Sequence, residues 1–307
     1  MLELLKQPLY NWLTYHRGAR KIAALEADLQ SDKPLLLVYQ MGRAGSMTTV
    51  ATLRESGVDL PIYHAHWMHP DNLQKRFNRW AGVREARHPL NVRVGRRIAE
   101  HLRAHGPRAR DWKLVSVLRE PVARNISVFF LSIDDFIKDF SRRYENRDID
   151  NAEVLRVFMD KFPHDQPLKW FDMEMRQMYG IDVYRHPFPR ELGYQVIRQD
   201  RVDLLLLKVE ELNRCYREAF SAFLGVDVPA LQQAHITERD PSRPMYKDFI
   251  RDAVLPADYL DQMYESRFAR HFYSDEEIAA FRRKWGPSPA ATASPRPLEL
   301  SVAAQGS

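Results

Sequence analysis

The sequence predicts an α/β fold built on a buried parallel sheet, and three observations carry that expectation. Four continuous apolar runs, "PLLLVYQM" (34–41), "LPIYHAHW" (60–67), "WKLVSVLR" (112–119) and "VDLLLLKV" (202–209), read as strands covered on both faces. Helix-compatible segments lie between or after them, at 46–56, 71–80, 92–105, 121–140, 151–161, 170–179 and 211–224. Hydrophobic residues make up 45% and charged residues 28% of 307, an ordinary globular composition in a chain long enough to bury a substantial core.

The ends read differently from the middle. Residues 1–30, "MLELLKQPLYNWLTYHRGARKIAALEADLQ", have the period of an amphipathic helix and no apolar run long enough for a signal peptide or a membrane span. Packing on the domain is the simpler use of such a helix; peripheral contact with a membrane surface is the other. Residues 286–307 are rich in Pro, Ala and Ser and poor in aromatics, so the fold is expected to close near Trp285. The expected organisation is a helix over 1–30, an α/β domain over 31–286 and a disordered tail over 287–307.

The single cysteine, Cys215, excludes an intrachain disulfide and a cysteine zinc cluster, and it suits a reducing compartment such as the cytoplasm. The formal net charge of +5 favours anionic ligands. It is too diffuse to indicate nucleic acid, and neither a run of five like charges nor an RNA-binding aromatic signature is present.

The first strand leads into "GRAGSMT" (42–48). Gly42 and Gly45 permit turns that other residues resist, and the amides from Gly45 to Thr48 open a helix, where backbone N–H groups gather an anion. Arg43 adds a permanent planar cation; Ser46 and Thr48 add hydroxyls. No Lys follows Gly45, so the loop departs from the nucleoside-triphosphate pattern G-x-x-x-x-G-K-[ST], and ATP hydrolysis is disfavoured. By itself the loop is equally a plain strand–turn–helix connection.

A second stretch, "KLVSVLREPVARNISVFF" (113–130), places Arg119 at a strand end and Pro121 at the first turn of a helix that carries Arg124 and Ser127. Arg119 and Ser127 can converge on a second anionic group; Arg119 alone would read as a salt-bridge partner.

Together "GRAGSMT" and "REPVARNIS" resemble the two nucleotide-binding motifs of sulfotransferases that use 3′-phosphoadenosine 5′-phosphosulfate (PAPS). The resemblance implies a P-loop-type central parallel sheet flanked by helices. It also implies that Gly42, Arg43, Ala44, Gly45, Ser46, Met47 and Thr48 hold the 5′-phosphosulfate, and that Arg119 and Ser127 hold the 3′-phosphate. A late basic loop, "TERDPSRPMYKDF", with Arg239, Arg243, Tyr246 and Lys247, would close over the nucleotide as a corresponding loop does in that family, Arg243 being the contact assigned here. A strand, an acidic pair and a helix in "LLLLKVEELNRCYREAFSAFLGV" (204–226) extend the likeness. With "LKWFDMEM" (168–175) and "HFYSDEEIAAFRRKW" (271–285), the motifs also resemble the bacterial family labelled putative capsular polysaccharide synthesis protein. This chain departs from many sulfotransferases in carrying Arg43 where they carry Lys, and Met47 at a hydroxyl position.

The implied reaction is in-line transfer of a sulfuryl group to a hydroxyl, the acceptor being a carbohydrate or glycolipid on the family resemblance. Arg43 would stabilise the leaving phosphate oxygen, and the scheme requires no metal. The base is expected to be histidine: His66 in "PIYHAHWMHP" first, His64 second, and an acidic side chain of "KWFDME" third. His64, His66 and His69 are also spaced as a metal set, but the set lacks an obvious carboxylate or cysteine partner. Lys169 to Asp172 read as lining of the acceptor pocket, and Met173, Met175 and Met178 after them read equally as helix packing. The alternatives to a sulfotransferase are a P-loop small-molecule kinase and a noncatalytic anion- or polysaccharide-binding protein of surface-polymer assembly.

Overall fold

The computed structural model describes residues 2–228 and 243–287. Its centre is a five-stranded sheet ordered β2-β1-β3-β5-β4. Strands β1 (Leu35–Tyr39), β2 (Ile62–Ala65), β3 (Trp112–Leu118) and β5 (Val202–Lys208) run parallel, and β4 (Tyr194–Gln199) is antiparallel to β5 at one edge.

The apolar runs are continuous because both faces of the sheet are covered. Alternation sends Leu37, Tyr39, Leu114, Leu204 and Leu206 into one core, and Leu36, Val38, Val115, Val117, Leu205 and Leu207 into the other. The second core is closed by α2 (Ser46–Glu55) and α10 (Leu212–Leu224), whose inward residues include Val50, Leu53, Cys215 and Phe220. The first is larger. It takes in α1 (Leu2–Gln30), α3 (Pro70–Arg79), α4 (Leu90–His105), α5 (Pro121–Leu131), α6 (Phe140–Glu145) and α7 (Asn151–Lys161). Farther on come α8 (Gln166–Trp170), α9 (Gln177–Tyr179), α11 (Arg243–Asp252), α12 (Ala257–Tyr264), α13 (Arg267–Phe272) and α14 (Asp275–Trp285).

The four strands read from the sequence are all present. The fifth, β4, escaped notice because "YQVIRQ" is half polar: Tyr194 and Val196 pack into one core and Ile197 into the other, while Gln195, Arg198 and Gln199 break the apolar run. A two-residue turn at Asp200–Arg201, with Asp200 at φ 52, folds it back onto β5. The helix expected over 121–140 stops at Leu131, where the Ser132 N–H bonds the carbonyls of both Val128 and Phe129. A short 3₁₀ turn over Ile133–Asp135 and left-handed Asp139 precede α6. Serine and aspartate in "SIDD" favour such local turns over helix continuation.

Among the described residues of α1, Ile22, Leu25 and Leu29 are buried in the larger core. Asp28 ties that helix to the sheet by accepting the Tyr63 hydroxyl at 2.5 Å, and its carbonyl accepts from Arg110 at 2.7 Å. No helix of the described residues is long and apolar enough to cross a membrane.

Two local features set the edge where the strands end. At Gly95 an added Cβ would stand 2.1 Å from the Trp67 carbonyl oxygen, so only glycine lets α4 pack beneath the segment that follows β2. Between α8 and α9 the chain makes a π-helical turn over Phe171–Arg176, which carries Glu174 into the interior. Its carboxylate accepts the amides of Met68 and His69, each at 2.8 Å, as well as the Tyr39 hydroxyl and the Asn72 amide. One buried carboxylate therefore fixes the path from β2 into α3. Replacing Glu174 with Ala leaves those donors without their acceptor and should lower stability by about 3 kcal/mol or more. Urea unfolding checks this, and Glu174→Gln, which keeps an acceptor oxygen, should cost less.

Candidate functional site

The carboxyl ends of the parallel strands bring together loop 40–45 after β1, residues 66–69 after β2, Arg119–Glu120 after β3 and Val209–Glu211 after β5. Open α/β sheets bind ligands at this edge. A concavity of about 560 Å³, lined by His105, Arg108, Tyr179, Gln199 and Asp200 among others, lies at the opposite edge. We place the site where the chemistry-bearing side chains converge, rather than in that cleft.

The loop after β1 is held by Gln40. β1 leaves the sheet at Tyr39, while β3 continues to Leu118. The wholly buried Gln40 side chain takes over the missing ladder: its Oε1 accepts the Val117 N–H at 3.2 Å. Its Nε2 donates to the Ala44 carbonyl at 2.8 Å, fixing the middle of the loop. Arg43 and Gly45 adopt left-handed backbone angles, φ 71 and φ 79, the alternation that turns successive amides inward. Gly45 caps α2 and supplies no side-chain cap, so the first-turn amides of Ser46, Met47 and Thr48 are the donors that a helix N-terminus leaves available. The Ser46 side chain is buried, Thr48 is partly exposed, and the Met47 side chain points away into solvent at 68% exposure.

The second motif meets the first. Arg43 Nε donates to Ser127 Oγ at 2.8 Å, and Arg119 Nη1 donates to the Arg43 carbonyl at 3.2 Å. Residues 84 and 76 positions apart thus form one cationic rim. Glu120 sets its orientation from below. This buried carboxylate caps α5 through the amides of Val122 and Ala123 (2.8 and 2.7 Å) and accepts from Tyr264 at 2.6 Å and Trp285 at 3.3 Å. Burial pushes its carboxyl upward despite those four donors. Glu210 follows on the β5 side, accepting the Glu120 N–H at 2.8 Å and the Tyr273 hydroxyl at 3.2 Å. Crowding by protein and the neighbouring Glu120 charge push it up as well, although its outer side meets solvent.

His66 stands beside the loop. Its Nδ1 lies 2.7 Å from the Gln40 carbonyl, which can only accept, so Nδ1 carries the proton. In the neutral ring the lone pair is then on Nε2. That atom faces Gly42, 3.9 Å from where a Cβ on it would stand. The Trp170 indole donates to the His66 carbonyl at 3.1 Å and fixes the backbone. Burial, reinforced by the charges of Arg124 and Arg76 and opposed by the Gln40 bond, lowers its pKa to about 4. His64 packs edge-on against it, ring centroids 4.4 Å apart, and burial with the His66 and Arg54 charges takes its pKa to about 3. His64 Nε2 is buried without a hydrogen-bond partner.

Other expected residues go elsewhere. His69 turns to Gln177 at 2.7 Å, and among the described residues no group of His, Cys, Asp and Glu is placed to hold a metal ion. Trp170 and Phe171 are core residues, Asp172 pairs with Arg267 at 2.7 Å, and Lys169 reaches back to Asp165, so this segment packs and positions rather than lining an open pocket. Glu174, the third candidate base, is committed to its four donors. Arg239 and the Arg243 side chain lie outside the described residues.

Sequence reasoning passed over Gln40, Glu120 as a cap and Arg76, and it placed Arg124 on its helix without assigning it a role. Arg124 is wholly buried, bonded to Asn125 Oδ1 at 3.0 Å and to Gln166, with its Nε unpartnered. Burial and the charges of Arg76 and Arg119 lower its pKa to about 9, which leaves it charged at neutral pH. Arg76 lies over the Trp67 ring at 4.9 Å. Nothing in their spacing announces a site.

The fold and this edge define an α/β protein with a glycine-containing loop leading into α2, two converging cationic motifs and a neutral histidine. Residues 146–274 match the family model NKWYS, described as "Putative capsular polysaccharide synthesis protein". That stretch is under half of the chain; it contains Glu174, β4, β5 and Glu210, and lies after both anion motifs. No curated protein and no solved structure matches the chain.

The histidine pair makes stability depend on pH. Both folded-state values lie below the ordinary 6.5, so the unfolded chain binds more protons between about pH 6.5 and 4. Stability should therefore be fully present above pH 6.5 and fall as pH drops through that window. Denaturation curves across it, with His64→Asn flattening the slope, provide the check.

Proposed function

We propose that the protein is a PAPS-dependent sulfotransferase acting on a carbohydrate hydroxyl. The observation that carries this reading is the contact of the two motifs: Arg43 on Ser127, with Arg119 on the Arg43 carbonyl, at the carboxyl edge of a parallel sheet. A ligand with two separated anionic groups suits that rim, one group in the loop and the other at Arg119 and Ser127. The polysaccharide family matched by residues 146–274 supports a glycan as acceptor.

Each side chain then has a definable task. The acceptor oxygen bonds to sulfur while the bond from sulfur to the bridging phosphate oxygen breaks. The acceptor proton passes to His66 Nε2, whose lone pair is fixed there by the Nδ1–H bond to Gln40. Arg43 and the first-turn amides of α2 take up the charge left on the departing phosphate oxygen. Burial, reinforced by the charges of Arg124 and Arg76, keeps His66 neutral before substrate arrives, and the negative charge of the bound nucleotide raises its basicity when it is needed.

Calorimetric titration with 3′-phosphoadenosine 5′-phosphate, the product nucleotide, tests the reading. The bisphosphate should bind at micromolar concentration or tighter, ATP should bind at least about tenfold more weakly, and Arg119→Ala should lose about 2 kcal/mol of bisphosphate affinity. Preference for ATP with magnesium would instead favour a kinase. Binding without turnover on any glycan hydroxyl would favour a noncatalytic role. His66→Ala should leave bisphosphate affinity intact and reduce sulfuryl transfer by about 10²–10⁴-fold. In the wild-type protein the His66 ring resonance, followed by NMR, should titrate at a higher pH with bisphosphate bound than without it.

A further inference from the structure

The wall next to His66 carries a strong charge imbalance. Between residues 75 and 87, "KRFNRWAGVREAR" places Lys75, Arg76, Arg79, Arg84 and Arg87 against a single acid, Glu85. Glu85 is already engaged with Arg96 and Arg97, and Arg79 pairs with Asp135. Among the described residues, Lys75, Arg76, Arg84 and Arg87 make no ion pair, and all but the half-buried Arg76 are exposed. Arg76 reaches inward over Trp67, the neighbour of His66. Behind it the wholly buried Arg124 also lacks a carboxylate, having only amide oxygens as acceptors. Between the outer cations Trp80 and Val83 are exposed at 37% and 39%, an aromatic and an aliphatic surface set in basic surroundings.

Position decides what this wall meets. Along the edge the order is Arg76 and His66 beyond β2, the Arg43 loop on β1, then Arg119 and Ser127 on β3 and α5. An in-line displacement brings the acceptor from the side opposite the leaving group. With the nucleotide spread toward β3, the acceptor comes from the β2 side, along α3 and the segment after it. A neutral acceptor would leave Arg76 uncompensated as it displaced water from around it; an anionic one offsets that cost.

Resting on the sulfotransferase reading, we propose that the acceptor is an acidic glycan. Arg76 takes the acidic group nearest the reacting hydroxyl, and Lys75, Arg84 and Arg87 hold the chain beyond it. Trp80 offers its ring to a sugar face.

The test uses the full-length protein saturated with 3′-phosphoadenosine 5′-phosphate. Its probes are an unsulfated uronate oligosaccharide (heparosan), the same oligosaccharide with its carboxyls reduced, and vesicles containing anionic phosphatidylglycerol. Heparosan should bind at least about tenfold more tightly than the reduced form, weakening as salt is added. Arg76→Gln should remove most of that preference, and Lys75→Gln/Arg84→Gln/Arg87→Gln should weaken heparosan binding without altering the bisphosphate titration. Equal binding of the two oligosaccharides, or no binding of heparosan, overturns the proposal. So does tight vesicle binding that is lost in the same variants while heparosan is ignored. Failure of the bisphosphate to bind would sink the sulfotransferase reading separately; heparosan preference surviving that failure would make the wall an acidic-glycan binding surface without transfer chemistry.

Discussion

The edge depends on one side chain. Gln40 stands where β1 leaves the sheet and β3 does not, a place where a strand would ordinarily lose its partner. Its amide continues the ladder to Val117, its other end holds Ala44, and its main-chain carbonyl fixes the tautomer of His66. The wall of the sheet, the shape of the anion loop and the location of a basic lone pair are thus set by one residue with no contact to solvent. A buried side chain with all its polar atoms satisfied is stiff, and stiffness is what an anion site of inward-turned amides requires.

Charge is sorted along the same edge. The acids near the site are spent internally: Glu174 caps the path into α3, Glu120 caps α5 and receives Tyr264 and Trp285, and Glu210 braces Glu120. Arg76, Arg119 and Arg124 are left without ion pairs among the described residues. A net charge of +5 spread over 307 residues says little, yet using the carboxylates as structural caps concentrates its effect at one end of the sheet. The C-terminal helices belong to this arrangement too, since the buried Lys208 at the end of β5 pairs with Glu277 of α14 at 2.6 Å.

Much of the fold was legible because its signals are local. Continuous apolar runs marked the four parallel strands, and Gly42, Gly45 and the hydroxyls after them marked a turn into a helix. Reading two strand ends as neighbours brought the two motifs to one edge, whereas the contact between Arg43 and Ser127 emerged only in the tertiary structure. β4 was not legible, since half of its residues are polar and its apolar ones, Tyr194, Val196 and Ile197, serve both cores and so neither alternate nor form a continuous run. The acidic residue of "KWFDME" looked chemical because sequence reveals a carboxylate but not the four donors that occupy it.

The sequence by itself determined the α/β class, the glycine turn from β1 into α2, the second cationic motif and a histidine after β2, because each is a short-range pattern in which backbone freedom and side-chain chemistry coincide. Only the tertiary structure decided which atoms those residues present. The proton on His66 Nδ1 is dictated by a carbonyl from another strand, the loop's shape by an amide that bonds β3, and the unpaired state of Arg76 and Arg124 by carboxylates drawn away to cap helices. These are relations between distant segments, set by packing and by the cost of burying unsatisfied polar groups, and no window of sequence contains them.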